Sequence, residues 1–79
     1  MPTTAWPSTL DAQDASLYVH RAEAHVRNGG VTAALADYGR AIALKPADPD
    51  LYVSRGALYL RRFNLLRAIV DFYRAYKLM

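Results

Sequence analysis

From residue 14 onward, stretches with apolar side chains at helical spacing alternate with short polar breaks. Leu17, Tyr18, Ala22, His25 and Val26 recur as one face of an α-helix does. Asn28, Gly29 and Gly30 end that run with residues that tolerate the left-handed conformation of a helix C-cap. Val31, Ala34, Leu35, Tyr38, Ala41 and Ile42 then restore the helical spacing. Lys45 stands where a helix C-terminus favours positive charge, and Pro46 cannot continue a helix. Asp48 offers an N-cap, and Pro49 suits a first turn, where its missing N–H loses nothing. Asn64 can cap a last run that starts at Leu65. The pattern predicts an all-α chain of four helices, at about 15–28, 31–44, 49–62 and 65–78.

The helices are paired by repetition. Residues 14–45 return as residues 48–79 at an offset of 34, with eleven identities in 32 ungapped pairs. The identical positions are Asp14, Leu17, Tyr18, Val19, Arg21, Arg27, Ala34, Asp37, Arg40, Ala41 and Leu44. Repetition at this period marks a helical solenoid, which works by offering a surface. The small residues Ala22, Ala34, Ala41, Gly56, Ala68 and Ala75 fall where neighbouring helices must approach closely. Tyr18, Tyr38, Tyr52, Tyr59 and Phe72 are expected to fill the gaps between helices.

Read in order, the first unit carries Tyr18, Arg21, Ala22, His25, Ala34, Tyr38, Ala41 and Pro46. The second carries Tyr52, Arg55, Gly56, Tyr59, Ala68, Phe72 and Ala75. This series resembles the tetratricopeptide repeat, whose period and order of aromatic, small and proline positions it follows. Arg21 and Arg55 depart from the family's usual leucine, and His25 from its usual aromatic. The second unit's proline would follow Met79. The resemblance covers residues 14–79, as repeat 1 (14–47) and repeat 2 (48–79). Residues 1–13, with Pro2, Trp6 and Pro7, read as an irregular leader, and Trp6 is expected to pack back on the first helix.

The resemblance implies a protein-interaction module whose concave face is lined by the first helix of each repeat. The matching positions are Ser16, Val19, Glu23, Val26 and Arg27, then Asp50, Val53, Ala57, Leu60 and Arg61. Spacings of three, four and seven keep each set on one helical stripe. The stripe is apolar for a groove, and it suits an extended or helical ligand with apolar anchors and a nearby acid. Family members that grip a C-terminal carboxylate use Lys, Asn and Arg there. This chain has Val19, Glu23, Ser54 and Ala57 at the equivalent positions, which argues against such a clamp.

Arg21 with Asp37 and Arg55 with Asp71 recur as a set, so they are expected to serve the architecture rather than a site. A buried unpaired guanidinium would cost too much to keep. Asp37/Arg40 and Asp71/Arg74 also recur, three residues apart on a helix. His20 and His25 lie five apart, about 140° around a helix, and do not converge on a metal. His25 occupies an aromatic position of the motif and is expected to pack in the core. Gly29 and Gly30 follow a helix and lack the Lys-Ser/Thr ending of a phosphate loop. No arrangement suggests nucleophilic catalysis, a metal or a cofactor, so the chain is read as not an enzyme.

Composition sharpens the picture in two places. The chain is 53% hydrophobic and 22% charged, as a folded domain is, and it holds no cysteine for a disulfide or thiolate site. No basic apolar leader and no apolar stretch of roughly 18–20 residues is present, so a cytoplasmic protein without a membrane span is expected. The net charge of +3 lies in the second half. Arg55, Arg61, Arg62, Arg67, Arg74 and Lys77 occupy mixed helical phases there and are read as solvated surface, which disfavours nucleic acid as a partner.

The last helix breaks the expectation for a solenoid end. Leu65, Leu66, Ile69, Val70, Tyr73, Tyr76, Leu78 and Met79 leave it apolar on more than one side, where a terminal repeat should be polar outside. Two repeats are also fewer than the roughly three that usually sustain such a fold. Either further repeats continue the array, the preferred expectation, or copies stack on each other. Leu66, Ile69, Val70, Tyr73 and Tyr76 are the expected contact residues, and a homo-oligomer or further repeats the expected neighbours. The leading functional expectation is a peptide or partner helix in the concave groove. Self-association through the last helix comes second and nucleic-acid binding third.

Overall fold

A computed structural model describes residues 14–79. The leader at 1–13 and the expected packing of Trp6 lie outside the described residues. Four helices follow one another: α1 (Ala15–Arg27), α2 (Val31–Leu44), α3 (Pro49–Arg61) and α4 (Leu65–Leu78). The expected ends of α2 and α4 agree with these bounds, and α1 and α3 stop one residue earlier.

The caps explain where the helices start. The Asp14 carboxylate accepts from the Ser16 backbone N–H at 3.0 Å and from its hydroxyl at 2.8 Å. Asp48 accepts from the Asp50 N–H at 3.0 Å, with Pro49 in the first turn of α3. Asn64 accepts from the Arg67 N–H at 3.5 Å to open α4. Each uses a short side chain to satisfy donors that have no partner inside the helix.

The first helix of each repeat ends in the same hydrogen-bonded turn, made by different residues. In repeat 1 the Gly30 N–H donates to the His25 carbonyl and the Gly29 N–H to that of Val26. In repeat 2 the Asn64 N–H donates to Tyr59 and the Phe63 N–H to Leu60. This pairing needs a left-handed residue just past the helix. Gly29 supplies it at φ 81°, and Phe63 supplies it at φ 59°. A side chain in that region crowds its own carbonyl, so repeat 2 carries strain that repeat 1 avoids.

α1 packs along α2 and α3 along α4, and a smaller α2–α3 seam joins the two hairpins. The intra-repeat seams are built on small residues. Ala22, Ala34, Ala41 and Ala68 are wholly buried, and Ala75 nearly so. A Cβ placed on Gly56 would sit 2.8 Å from the Phe72 ring, so the ring occupies the space a larger residue would take. Leu51, Leu58, Tyr38 and Ile42 are buried in a core shared by the two hairpins, with Leu35 packed against it. Two polar contacts tie the repeats together. The Tyr52 hydroxyl donates to the Pro46 carbonyl at 2.9 Å, and Arg62 Nη1 donates to Thr32 Oγ1 at 2.6 Å.

Candidate functional site

The first helices of the two repeats, α1 and α3, carry the expected groove stripe. Four of its residues, Glu23, Val26, Ala57 and Arg61, line one shallow pocket of about 310 Å³. Tyr38, Ser54 and Leu58 complete the lining. Val53 and Leu60 keep 38% and 44% of their surface exposed on the same stripe of α3. Val19 is half-buried and, like Val26, packs against the core, so apolar surface on the α1 side is partly spent on folding. Arg27 is exposed, with Ser16 and Asp50. The pocket is thus apolar at its floor, with one acid and one base at its rim.

Sequence spacing alone missed two of the lining residues. Tyr38 was assigned to the core, and its ring is buried, yet it forms part of the pocket floor. Burial pushes the Tyr38 phenol above its usual range, against a smaller opposing effect of the Ser54 hydroxyl. Leu58 is buried in the core and lines the pocket beside Tyr38. Helical phase within one helix cannot reveal residues that a neighbouring repeat brings alongside. Ser54 was legible on this face only as a clamp-equivalent position.

The recurring Arg–Asp pairs are cross-braces inside each repeat. Arg21 Nε and Nη2 donate to the two Asp37 oxygens at 3.0 and 2.9 Å. Arg55 makes the same fork to Asp71 at 2.9 and 2.8 Å. Such bidentate bonds join α1 to α2 and α3 to α4 through carboxylates buried at their bases. The Arg21 hydrogen bonds hold the Asp37 carboxyl below the usual carboxylate range, burial opposes this, and Arg40 adds to the lowering. Two expectations need correcting. Arg40 Nη1 reaches Asp37 at 2.7 Å, but among the described residues Arg74 makes no ion pair with Asp71. His25 is not a core residue: it is half-buried, with Nε2 3.6 Å from Asp37 at the edge of the brace. A ring with two polar nitrogens packs better beside a carboxylate than inside an apolar seam.

α4 presents the largest apolar surface. Leu66, Ile69, Val70, Tyr73 and Tyr76 are all exposed, together with Leu65, Leu78 and Met79. The helix buries Ala68, Asp71 and Ala75 and packs the Phe72 ring against Gly56. Isolated exposed apolar residues are ordinary on a protein surface, but a contiguous helix face of this kind marks an interface. The basic residues also prove less scattered than their spacing suggested. Arg55, Arg67 and Arg74 share the lining of one cavity, and Arg74 and Lys77 that of another beside it. Among the described residues no His, Asp and Glu cluster could hold a metal ion, and no helix is long and apolar enough to cross a membrane.

No curated protein matches the chain. The family model described as TPR repeat matches residues 30–62. That span runs from the N-cap of α2 through the C-cap of α3, so it covers the junction at which one repeat passes to the next. It includes Ala34, Tyr38, Ala41, Pro46, Tyr52, Gly56 and Tyr59, the motif positions on both sides of that junction. Together with four helices that repeat at the same period, this match supports assigning the chain to the tetratricopeptide-repeat family, whose members serve as protein-interaction modules.

Proposed function

We propose that the chain binds an extended or helical segment of a protein partner in the groove formed by α1 and α3. One observation carries the reading. Glu23 and Val26 from repeat 1 and Ala57 and Arg61 from repeat 2 meet around a single apolar pocket, beside the exposed Val53 and Leu60. A partner with an apolar anchor would fill the floor, and charges flanking the anchor would meet Glu23 and Arg61. Aspartate in place of Val53 or Leu60 would put a charge on the apolar wall without touching the buried seams. A partner retained by the immobilised chain should lose binding to Val53→Asp and Leu60→Asp in titration, with helical circular dichroism preserved. Unchanged affinity in both folded variants places the site elsewhere.

A second reading rests on the bare outer face of α4. Its Ile69 and Tyr76 occupy the places that Leu35 and Ile42 hold in α2, where Ile42 is buried in the core and Leu35 packs against it. We infer that another copy of the chain, or further repeats of the same kind, cover this face through Leu66, Ile69, Val70, Tyr73 and Tyr76. The two readings use different helices and are compatible.

A further inference from the structure

We propose that the seam of α3 and α4 on the side opposite the groove is a second binding site, for an acidic peptide with apolar side chains. Two adjoining cavities, of about 260 and 370 Å³, share Arg74 there. The first adds Pro46, Tyr52, Tyr73, Lys77 and Leu78. The second adds Arg55, Tyr59, Leu66, Arg67 and Val70. On α3, Arg55 and Tyr59 lie roughly half a turn round the helix from Ala57 and Val53, so this surface and the groove point apart.

Apart from Arg55, the charges along the seam lack acidic partners among the described residues. Neither cavity is lined by a carboxylate. Asp71, buried at the base of the seam, is already engaged by both donors of Arg55. The Arg67 guanidinium lies over the Tyr59 ring at 5.8 Å and the Lys77 ammonium over Tyr73 at 5.9 Å. Arg74 makes no salt bridge among the described residues. Its counterpart in repeat 1, Arg40, is tied to Asp37.

Repeat 1 shows that the fold does not require these residues. At the positions of Arg67, Lys77 and Tyr73 it carries Ala33, Ala43 and Gly39, and at those of Leu66 and Val70 it carries Thr32 and Ala36. The same hairpin is built with these smaller, uncharged residues. Arg67, Lys77, Tyr73, Leu66 and Val70, the larger residues of repeat 2 at these five positions, all line this seam, which architecture alone does not call for.

The chemistry selects the ligand. Arg67 and Arg74 stand two turns apart, about 10 Å along the axis, and an extended peptide covers that distance in about three to four residues. Two carboxylates four residues apart share one face of an extended peptide and can therefore meet both guanidiniums, while apolar side chains on that same face enter the cavities lined by Leu66, Val70, Pro46 and Leu78. A phosphate backbone offers nothing for those aliphatic walls, which favours the peptide over nucleic acid. The site is separate from the groove and stands or falls independently of it, but it shares Leu66, Val70 and Tyr73 with the outer face of α4, so the peptide and a neighbour covering that face compete.

The test uses the whole chain and fluorescence anisotropy. The probe is a fluorescein-labelled peptide with two Asp residues four apart, Leu midway between them and Phe two residues beyond the second, all on one face of the extended chain. Saturable binding is expected, weakened about tenfold by the Arg67→Ala, Lys77→Ala double variant, since each exposed ion pair contributes modestly. Those alanines are the residues of repeat 1, and the variant should keep its helical circular dichroism. Val53→Asp, in the groove, should bind the probe as the parent does. The proposal is overturned if the parent does not bind, if the double variant binds equally well, or if Val53→Asp loses the probe. Equal binding of a sibling peptide with Ser in place of Leu and Phe, or tighter binding of a twelve-residue oligothymidylate, overturns it too.

Discussion

The second helices of the two repeats, α2 and α4, hold the same position in the same hairpin and meet opposite fates. On α2, Ile42 is only 9% exposed, within the core cluster that also holds Leu51 and Leu58 of α3. On α4 the equivalent Tyr76 is 73% exposed, and Ile69, the equivalent of the half-buried Leu35, is 63% exposed. The inner faces agree closely: Ala34, Asp37 and Ala41 are buried in one, Ala68, Asp71 and Ala75 in the other. The difference teaches that each hairpin is closed internally by its small residues and its Arg–Asp brace, whereas the outer face of a second helix is closed only by a neighbour. α4 has the apolar residues for a neighbour and none among the described residues.

The widest separation between the two helices should come from shortening matched side chains. Ile42→Ala removes buried apolar atoms from the core and should cost about 2–4 kcal/mol. Ile69→Ala removes atoms that are largely exposed in the single chain and should cost under about 0.5 kcal/mol in dilute solution. Urea titrations at low protein concentration measure both. Similar losses for the two variants would mean that something covers α4 even there.

The braces should separate next, in the opposite sense. The Arg55 side chain is 19% exposed against 50% for Arg21. Asp71→Ala therefore leaves a largely buried guanidinium without its carboxylate and should cost about 3 kcal/mol. Asp37→Ala should cost less than half of that, because Arg21 and Arg40 can both turn to water. The Asp37 brace also sets an acid limit. Its carboxyl titrates lower in the folded chain than in the unfolded one, so its contribution is complete above about pH 4. That contribution is lost as the pH falls through the folded value. A plot of stability against pH should fall less steeply below about pH 4 in Asp37→Asn than in the parent.

The smallest effect concerns the turns. Phe63 is 87% exposed and holds a left-handed conformation that Gly29 holds without strain. Phe63→Gly should raise the stability by about 0.5–1 kcal/mol, the reverse of what a helix-interior glycine does. A thermal melt shows it as a higher midpoint, and a lower one would mean that the Phe63 ring makes contacts worth more than the strain.

The fold was legible because its determinants are local or repeated. Asp14 and Asp48 cap, Gly29 and Pro46 interrupt, and Ala34 and Ala68 recur where helices touch, so helices and pairing follow from spacing and period. The forked Arg21–Asp37 and Arg55–Asp71 contacts were legible for the same reason, since their sixteen-residue separation recurs. What spacing could not reveal depends on which helix lies alongside. Tyr38 and Leu58 join the groove pocket from the buried core, and His25 leaves the core because Asp37 is within its reach. Arg67, Arg74 and Lys77 look dispersed along α4, and become a group only when α3 contributes Arg55, Tyr52 and Tyr59.

Sedimentation velocity across the micromolar range tests the central comparison most directly, on the parent and on an Ile69→Lys, Tyr76→Lys variant. These are the two positions whose counterparts are shielded in repeat 1. The account predicts a parent that associates with rising concentration and a variant that stays monomeric with unchanged helical circular dichroism. A fully helical parent that remains monomeric throughout would contradict it, because the outer face of α4 would then need no neighbour.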